Sequence, residues 1–358
     1  MPGADVLLVS LASTAGLREA DAELAASLRR AGASVAVVGA RPVREWRTLA
    51  AIELAWALSA RRAAAAGLAE HAPRAVVYST VTAALLAPAP GAIRFDAPAA
   101  GNRPGRHGLW QRPAERRRLA AATLLVPWSE GGLAEAPSPH AGAVVVPVPV
   151  EPSGPPAEHR DIAAITYGAH PEKKGLDRVL AAWGTARRDG EELVVAGLTE
   201  AAWRARRGGV RPLPGIAPER GQTPSWNRSR TGSDPGAAPP GVRFAGMLSR
   251  AEYRGLVRRA RVFVTAPRRE DYGIAQLEAL ADGCVLVTTP SPGPYAALPL
   301  ARALDERLVG DDLAGAIRAA LDAPVPGYAE RAAMLLRPWR RSDVDRVVET
   351  ALLPRLLS

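Results

Sequence analysis

The stretch RVFVTAPRREDYGIAQLEALADGCVLVT, residues 261–288, decides the fold. Its first five residues form an apolar, β-branched run of strand length, and Pro267 ends that run. Ile274, Leu277 and Leu280 then recur at helical spacing, so a helix is expected from Tyr272, closed by Gly283 before a second apolar run at 285–288. Strand, helix and strand of these lengths make a parallel unit whose helix crosses the sheet face. In this unit Glu270 sits past the C-terminal end of the first strand, and Glu278 sits on the second turn of the helix. Open α/β sheets bind ligands at that edge, where helix N-termini present free N–H groups to anions such as a nucleotide diphosphate.

Outward from this stretch the same alternation repeats. Residues 6–11 are followed by Ser13, Thr14 and Gly16, then by Leu17, Leu24 and Leu28 at helical spacing, and then by a strand at 35–38. Further short apolar runs lie at 75–78, 92–95, 123–126, 162–167, 192–196 and 242–246. Ser249 and Glu252 form a capping-box pattern that starts a helix. Between 144 and 156 five prolines, Pro147, Pro149, Pro152, Pro155 and Pro156, resist helix and central strand alike and mark a stiff connection. The expected division is a first α/β domain over 1–150, a second over 151–330, and amphipathic helices over 331–358 that pack back on the first domain. Thirteen of the 33 residues between Gly208 and Pro240 are proline or glycine, so about 208–240 reads as a mobile insertion.

With 358 residues, 47% of them hydrophobic and only 5% aromatic, the chain can bury two ordinary cores rich in alanine, valine and leucine. The formal charge of +10 is almost all arginine, because lysine occurs only at Lys173 and Lys174. Two origins for that charge stay open: the composition of the genome, or anionic partners. It is spread over both halves with no basic tail, so no nucleic-acid footprint is evident. Cys284 is the single cysteine and opens an apolar run, which excludes disulfides and suits a buried thiol in a reducing, cytoplasmic setting. The run at 6–12 lacks a basic leader, and no stretch is long and apolar enough to span a bilayer. No glycine fingerprint of dinucleotide enzymes or phosphate-loop ATPases follows either domain's first strand.

With its two glutamates spaced by seven residues, its glycine turn and the Ala-Leu-Ala-Asp-Gly that follows, the stretch 261–288 resembles the retaining, GT-B-fold glycosyltransferases of family 4. That fold consists of two Rossmann-like domains facing a central cleft. The resemblance implies that Glu270 contacts the donor sugar and Glu278 the nucleotide ribose; carboxylates suit that task because each oxygen accepts hydroxyl hydrogen bonds. The segment 167–175, YGAHPEKKG, resembles the family's diphosphate-binding segment, with Lys174 and Gly175 in register. A lysine there neutralises the leaving group. The family's arginine position is Ala169, and His170, Arg268 and Arg269 are candidates to replace its charge. Gly16 matches the glycine loop that closes on the donor, and Gly168, Tyr272, Gly273 and Ile274 complete the donor-binding set.

In the first domain Asp96 stands where the family often places a histidine near the sugar; hydrogen bonding to a hydroxyl and simple strand termination are equally open. His107 and Trp110 interleave with arginines, seven of which lie between Arg94 and Arg118 against Asp96 and Glu115. That segment reads as a site for an anionic or lipid-linked acceptor, a face against an anionic inner membrane surface, or a solvated loop. The catalytic set expected is therefore Glu270, Lys174, Asp96 and His107. No cofactor beyond the donor and no metal is expected: Asp343-Val344-Asp345 lies in a helix, where two carboxylates do not converge on one cation. The implied chemistry is transfer from a nucleoside diphosphate sugar with retained configuration, the leaving phosphate taking the acceptor's proton. Two other readings are a sugar-nucleotide-binding protein without catalysis, suggested by Ala169 and Asp96, and another GT-B enzyme such as a phosphorylase or epimerase.

Overall fold

The computed structural model describes residues 3–43, 48–103, 105–207 and 239–358, apart from the side chains of Ala15, Leu49, Asn102, Arg106, His107 and Arg207. Nearly all of the expected insertion at 208–240 lies outside the described residues. The first half carries β1 (Val6–Ser10), α1 (Ala15–Arg30), β2 (Val35–Gly39), α2 (Leu49–His71), β3 (Ala75–Tyr78), α3 (Val81–Ala84), β4 (Ala92–Phe95), α4 (Ala99–Asn102), α5 (Gln111–Ala120), β5 (Leu125–Pro127) and α6 (Glu130–Ala134). The second carries β6 (Ile162–Tyr167), α7 (Leu176–Ala186), β7 (Leu193–Ala196), α8 (Glu200–Arg207), β8 (Val242–Gly246), α9 (Arg250–Arg259), β9 (Ala260–Thr265), α10 (Ile274–Ala281), β10 (Val285–Thr288), α11 (Ala297–Leu304) and α12 (Leu313–Asp322). Three further helices follow, α13 (Tyr328–Leu335), α14 (Arg341–Val347) and α15 (Leu353–Leu357).

Two parallel sheets result, ordered β2-β1-β3-β4-β5 and β10-β9-β6-β7-β8. A parallel sheet needs cover on both faces, and β1 shows how its sequence supplies it. All five of its residues are buried. Leu7 and Val9 join the core with Ala60 and Ala64 of α2, while Val6 and Leu8 join Leu24 and Leu28 of α1 on the other face. That second face also receives Val344, Val348 and Leu352 from the end of the chain, so the C-terminal helices close over the first sheet. Asp345 anchors them, accepting from Ser27 Oγ at 2.6 Å and from Arg30 Nε at 2.7 Å.

The order of the second sheet positions the site. From β6 the chain moves first to β7 on one side, and later to β9 on the other, so the loops after β6 and β9 part at a topological switch point. Those loops carry residues 168–175 and 266–273.

Two expectations are corrected. The helix after β9 begins at Ile274 rather than Tyr272, because Gly273 caps it in the left-handed region at φ 88°, outside helical geometry. The last strand of the first sheet is Leu125–Pro127, two residues later than its apolar run. Cys284 is fully buried, its thiol donates to Val257 O at 3.0 Å, and burial pushes its pKa up to about 12, well away from nucleophilic reactivity. Among the described residues no helix is long and apolar enough to cross a membrane.

Candidate functional site

Gly175 and Gly273 cap the helices that follow β6 and β9, both with positive φ. A Cβ on Gly175 would lie 1.9 Å from Ala266 O, so the two loops touch only because this position has no side chain. The amide of Arg268 donates to Lys173 O at 3.0 Å, which stitches the loops together. Lys174 Nζ can therefore reach across the switch point and donate to Glu270 Oε2 at 2.6 Å. Gln276 Nε2 donates to the same oxygen at 3.0 Å, and the amide of Glu270 donates to Pro292 O at 3.0 Å. Glu270 is only 4% exposed, and its other oxygen, Oε1, has no hydrogen-bond partner among the described residues.

Glu278 is held in the same one-sided way. Arg250 Nη2 at 2.7 Å and Arg254 Nη1 at 3.2 Å both pair with Oε1, and Oε2 has no hydrogen-bond partner among the described residues. Burial pushes the Glu278 carboxyl above its ordinary pKa, against the pull of Arg254 and Arg250. Its charge is also felt by Tyr167, the last residue of β6, so Glu278 sits beside the loop that carries Lys174. The separation of 96 residues along the chain between Lys174 and Glu270 thus closes into one edge, with the N-termini of α7 and α10 beside it. The first-turn amides of α10 have no acceptor among the described residues, whereas in α7 those of Leu176 and Arg178 donate to Pro171 O and Gly175 O; free N–H groups and the positive helix end favour an anion there.

A second charged layer joins the two domains. Lys173 Nζ and Arg269 Nε each donate to Asp271 at 2.9 Å, and although burial opposes it, they hold the Asp271 carboxyl below its usual range. Arg269 Nη2 also donates to Glu135 of the first domain at 2.7 Å. Arg250 pairs with Glu19 on α1 as well as with Glu278. Asp96 faces this layer: burial, then the nearby Asp271, raises its pKa, and its Oδ1 accepts from the amide of Ala97 at 2.7 Å. Glu115 accepts from the amide of Ala99 at 2.5 Å, and burial pushes it up to about 7.

The remaining expected residues are placed as follows. Gly16 is exposed in the first turn of α1, which Thr14 caps, and a Cβ there would meet nothing within 4 Å. The amide of Gly168 donates to Ala196 O at 2.8 Å, and the carbonyl of His170 accepts from the amide of Lys174 at 2.9 Å. Ile274 opens α10. Arg268 does not reach the site carboxylates; it pairs with Asp177 of α7 at 2.8 Å. Tyr272 belongs to the joint between domains rather than to an open pocket. It is 3% exposed, and its hydroxyl accepts from Val148 N at 3.1 Å and Trp339 Nε1 at 2.9 Å. The backbone of His107 lies in a 3-10 turn, Gly105–Gly108, and its side chain is outside the described residues.

The sequence reading missed the buried pair beneath the first loop. Arg94 Nη1 lies 3.4 Å from Asp21 Oδ1, both nearly inaccessible, and Ser10 Oγ donates to Asp21 Oδ2 at 2.5 Å. The Arg94 guanidinium stacks over Trp128 at 4.9 Å, and Trp128 meets Tyr272 edge-on at 5.2 Å. One signal was available: an arginine inside the apolar run 92–95 must be paired if that strand is buried.

Residues 151–298 match the family described as glycosyl transferases group 1. Across nearly the whole chain the fold is that of GT-B glycosyltransferases. The sucrose-phosphate synthase of Thermosynechococcus elongatus superposes with a TM-score of 0.69 at 13% identity, covering 98% of both chains. WaaG, a glycosyltransferase of lipopolysaccharide biosynthesis, gives 0.64 at 15% identity over 96% of this chain and 99% of its own. HepE of Anabaena, solved with UDP and glucose, gives 0.62 at 12% identity over 98% and 99%. No curated protein matches the sequence.

Proposed function

We propose that this protein, whose segment 151–298 is a group 1 glycosyl transferase domain, moves a sugar from a nucleoside diphosphate sugar to a hydroxyl acceptor with retention of configuration. The observation that carries the reading is the pair of half-engaged carboxylates around the switch point. Glu270 Oε1 is left for a sugar hydroxyl, and Glu278 Oε2 for the ribose. Lys174 Nζ leaves Glu270 for the diphosphate, with the first-turn amides of α10 adding uncharged donors. The bond from C1 to the phosphate oxygen breaks as the bond from C1 to the acceptor oxygen forms on the same face. The acceptor's proton passes to the departing phosphate oxygen, so the step calls on no side-chain base and no metal.

Ala169 removes the charge that the family's arginine supplies, and neither Arg268 nor Arg269 replaces it while bound to Asp177 and to Asp271 with Glu135. Lys174 thereby becomes the principal cation at the diphosphate. UDP-sugars are the first donors to try, since HepE was solved with UDP and glucose, and a trehalose-6-phosphate enzyme of E. coli with UDP-2-fluoro glucose. The test pairs a thermal-shift screen of nucleotide sugars with a product assay read by anomeric NMR. A donor-specific shift with an axial-to-axial or equatorial-to-equatorial outcome supports the reading. A shift without transfer or hydrolysis favours a sugar-nucleotide-binding protein, the alternative that Ala169 motivates.

A further inference from the structure

The buried stripe of α5 changes character along its length. Gln111, Glu115 and Leu119 share one face of the helix, and all three are buried. Leu119 joins the apolar core, whereas Glu115 and Gln111 carry polar groups in beneath α3 and α4, which pack on this helix. Gln111 is 1% exposed, and its Nε2 and Oε1 both lack a hydrogen-bond partner among the described residues. Glu115 accepts from the amide of Ala99, but Arg103, whose charge it feels, pairs with Glu53 instead. Burying an amide without partners costs free energy that an apolar side chain of similar size would not, so Gln111 calls for a ligand or an ordered water.

The cluster reaches the crevice through Asp96. The short segment 97–99 joins Asp96 to the amide that Glu115 holds, and the two carboxyls sense each other's charge. Asp96 is partly exposed and faces Lys173 and Asp271 of the second domain. Those cations are already engaged, Lys173 by Asp271 and Arg269 by Asp271 and Glu135, which leaves Asp96 without an ion pair among the described residues. Helix α4 covers the cluster: its Gly101 lies against Arg269, and its cap residue Pro98 supplies no side-chain hydrogen bond, so α4 is the element that can yield to a ligand.

The arginines of this region do not offset the negative sign. Arg94 is buried against Asp21, Arg103 is on Glu53, Arg112 donates to Gly105 O at 3.0 Å, and Arg118 donates to Leu85 O at 3.0 Å. Arg116 and Arg117 are exposed, about 100° and 200° round α5 from Glu115 and so away from the cluster; the side chain of Arg106 is outside the described residues. A phosphate entering past Asp96 would meet a carboxyl of its own sign and no unpaired cation beside it among the described residues. An ammonium would suit Asp96 and Glu115 but offers nothing to the Nε2 donors of Gln111. A hydroxyl both donates and accepts, so an uncharged polyol matches all three side chains.

We propose that Asp96, Gln111 and Glu115 form an acceptor subsite that selects an uncharged, hydroxyl-rich molecule, a sugar or polyol without phosphate or carboxylate. The inference rests on the transfer reading in calling that molecule an acceptor, but its binding is measured without turnover. The test is saturation-transfer NMR on the full chain with UDP present, offering glucose, mannose and galactose, each beside its 6-phosphate, to the wild type and to variants. An uncharged sugar should bind roughly tenfold or more tighter than its phosphate. Gln111→Leu should weaken that binding about tenfold while melting no lower than the wild type, because it removes an unpaired amide. Asp96→Asn should narrow the preference against phosphate, which a change in folding alone would not do. Phosphates binding as tightly as their parent sugars, no sugar binding at all, or an unchanged preference in Asp96→Asn overturns the proposal. So does unchanged sugar binding in Gln111→Leu, which would make a buried water the partner of Gln111. A failed donor screen leaves the sugar preference readable, whereas a phosphate preference beside working transfer sinks this inference alone.

Discussion

At Glu270 and Glu278 one carboxylate oxygen is fixed by cations or an amide and the other is left over, an arrangement that orients a group without using it up. Replacing Lys174 with methionine should lower kcat about 100-fold or more in a transfer assay, because one oriented charge at a developing anion is worth that much. Glu278→Gln should abolish the donor-induced thermal shift while leaving the fold intact, a change read by melting with and without donor. Glu115 offers a pH test. Its unfolded carboxyl ionises near 4.5 and its folded one near 7, so the folded state holds the extra proton between those values and stability falls as pH rises through that window. Glu115→Gln should remove this slope and be more stable than the wild type above about pH 7, by up to roughly 3 kcal/mol in denaturant titrations. Lys174, Glu270 and Glu278 could be found in the sequence because each sits at a fixed offset from a strand end. Asp271, Arg269 and Glu135 could not, because which of the many arginines meets which carboxylate depends on packing between domains.

At the scale of elements, the two glycine caps decide whether the edge forms. Gly175→Ala would drive a Cβ into Ala266 O and hold alanine at φ 62°, so a loss of about 2 kcal/mol or more is expected, with the donor shift lost even where the fold survives. Calorimetry and the thermal-shift screen together check this. Ten strands were legible as short apolar runs, since a central strand buried on both faces, such as β1, has little choice of residue, and even the half-exposed edge strands β2 and β8 keep apolar runs. The start of α10 was not, because Tyr272 looks like helix from its neighbours while Gly273 and the hydroxyl's two donors assign it elsewhere. The buried side of α2 was equally hidden: Ala57, Ala60 and Ala64 are weakly apolar, so they leave almost no periodic trace.

Across the whole molecule the domains meet through a few specific contacts. Tyr272→Phe would leave the amide of Val148 and the indole N–H of Trp339 without their acceptor, which should cost about 2 kcal/mol and lower the melting temperature by several degrees. Arg250 and Arg269 each connect a residue at the donor edge to a glutamate of the first domain, so donor binding and domain closure share the same side chains. The central claim is that Lys174, Glu270 and Glu278 surround one nucleoside diphosphate sugar in the crevice between the domains. A crystal structure of the protein soaked with UDP tests it most directly. The account predicts the diphosphate against Lys174 Nζ and the N-terminus of α10, with the ribose on Glu278 Oε2; nucleotide bound elsewhere, with Lys174 still closed on Glu270, would contradict it.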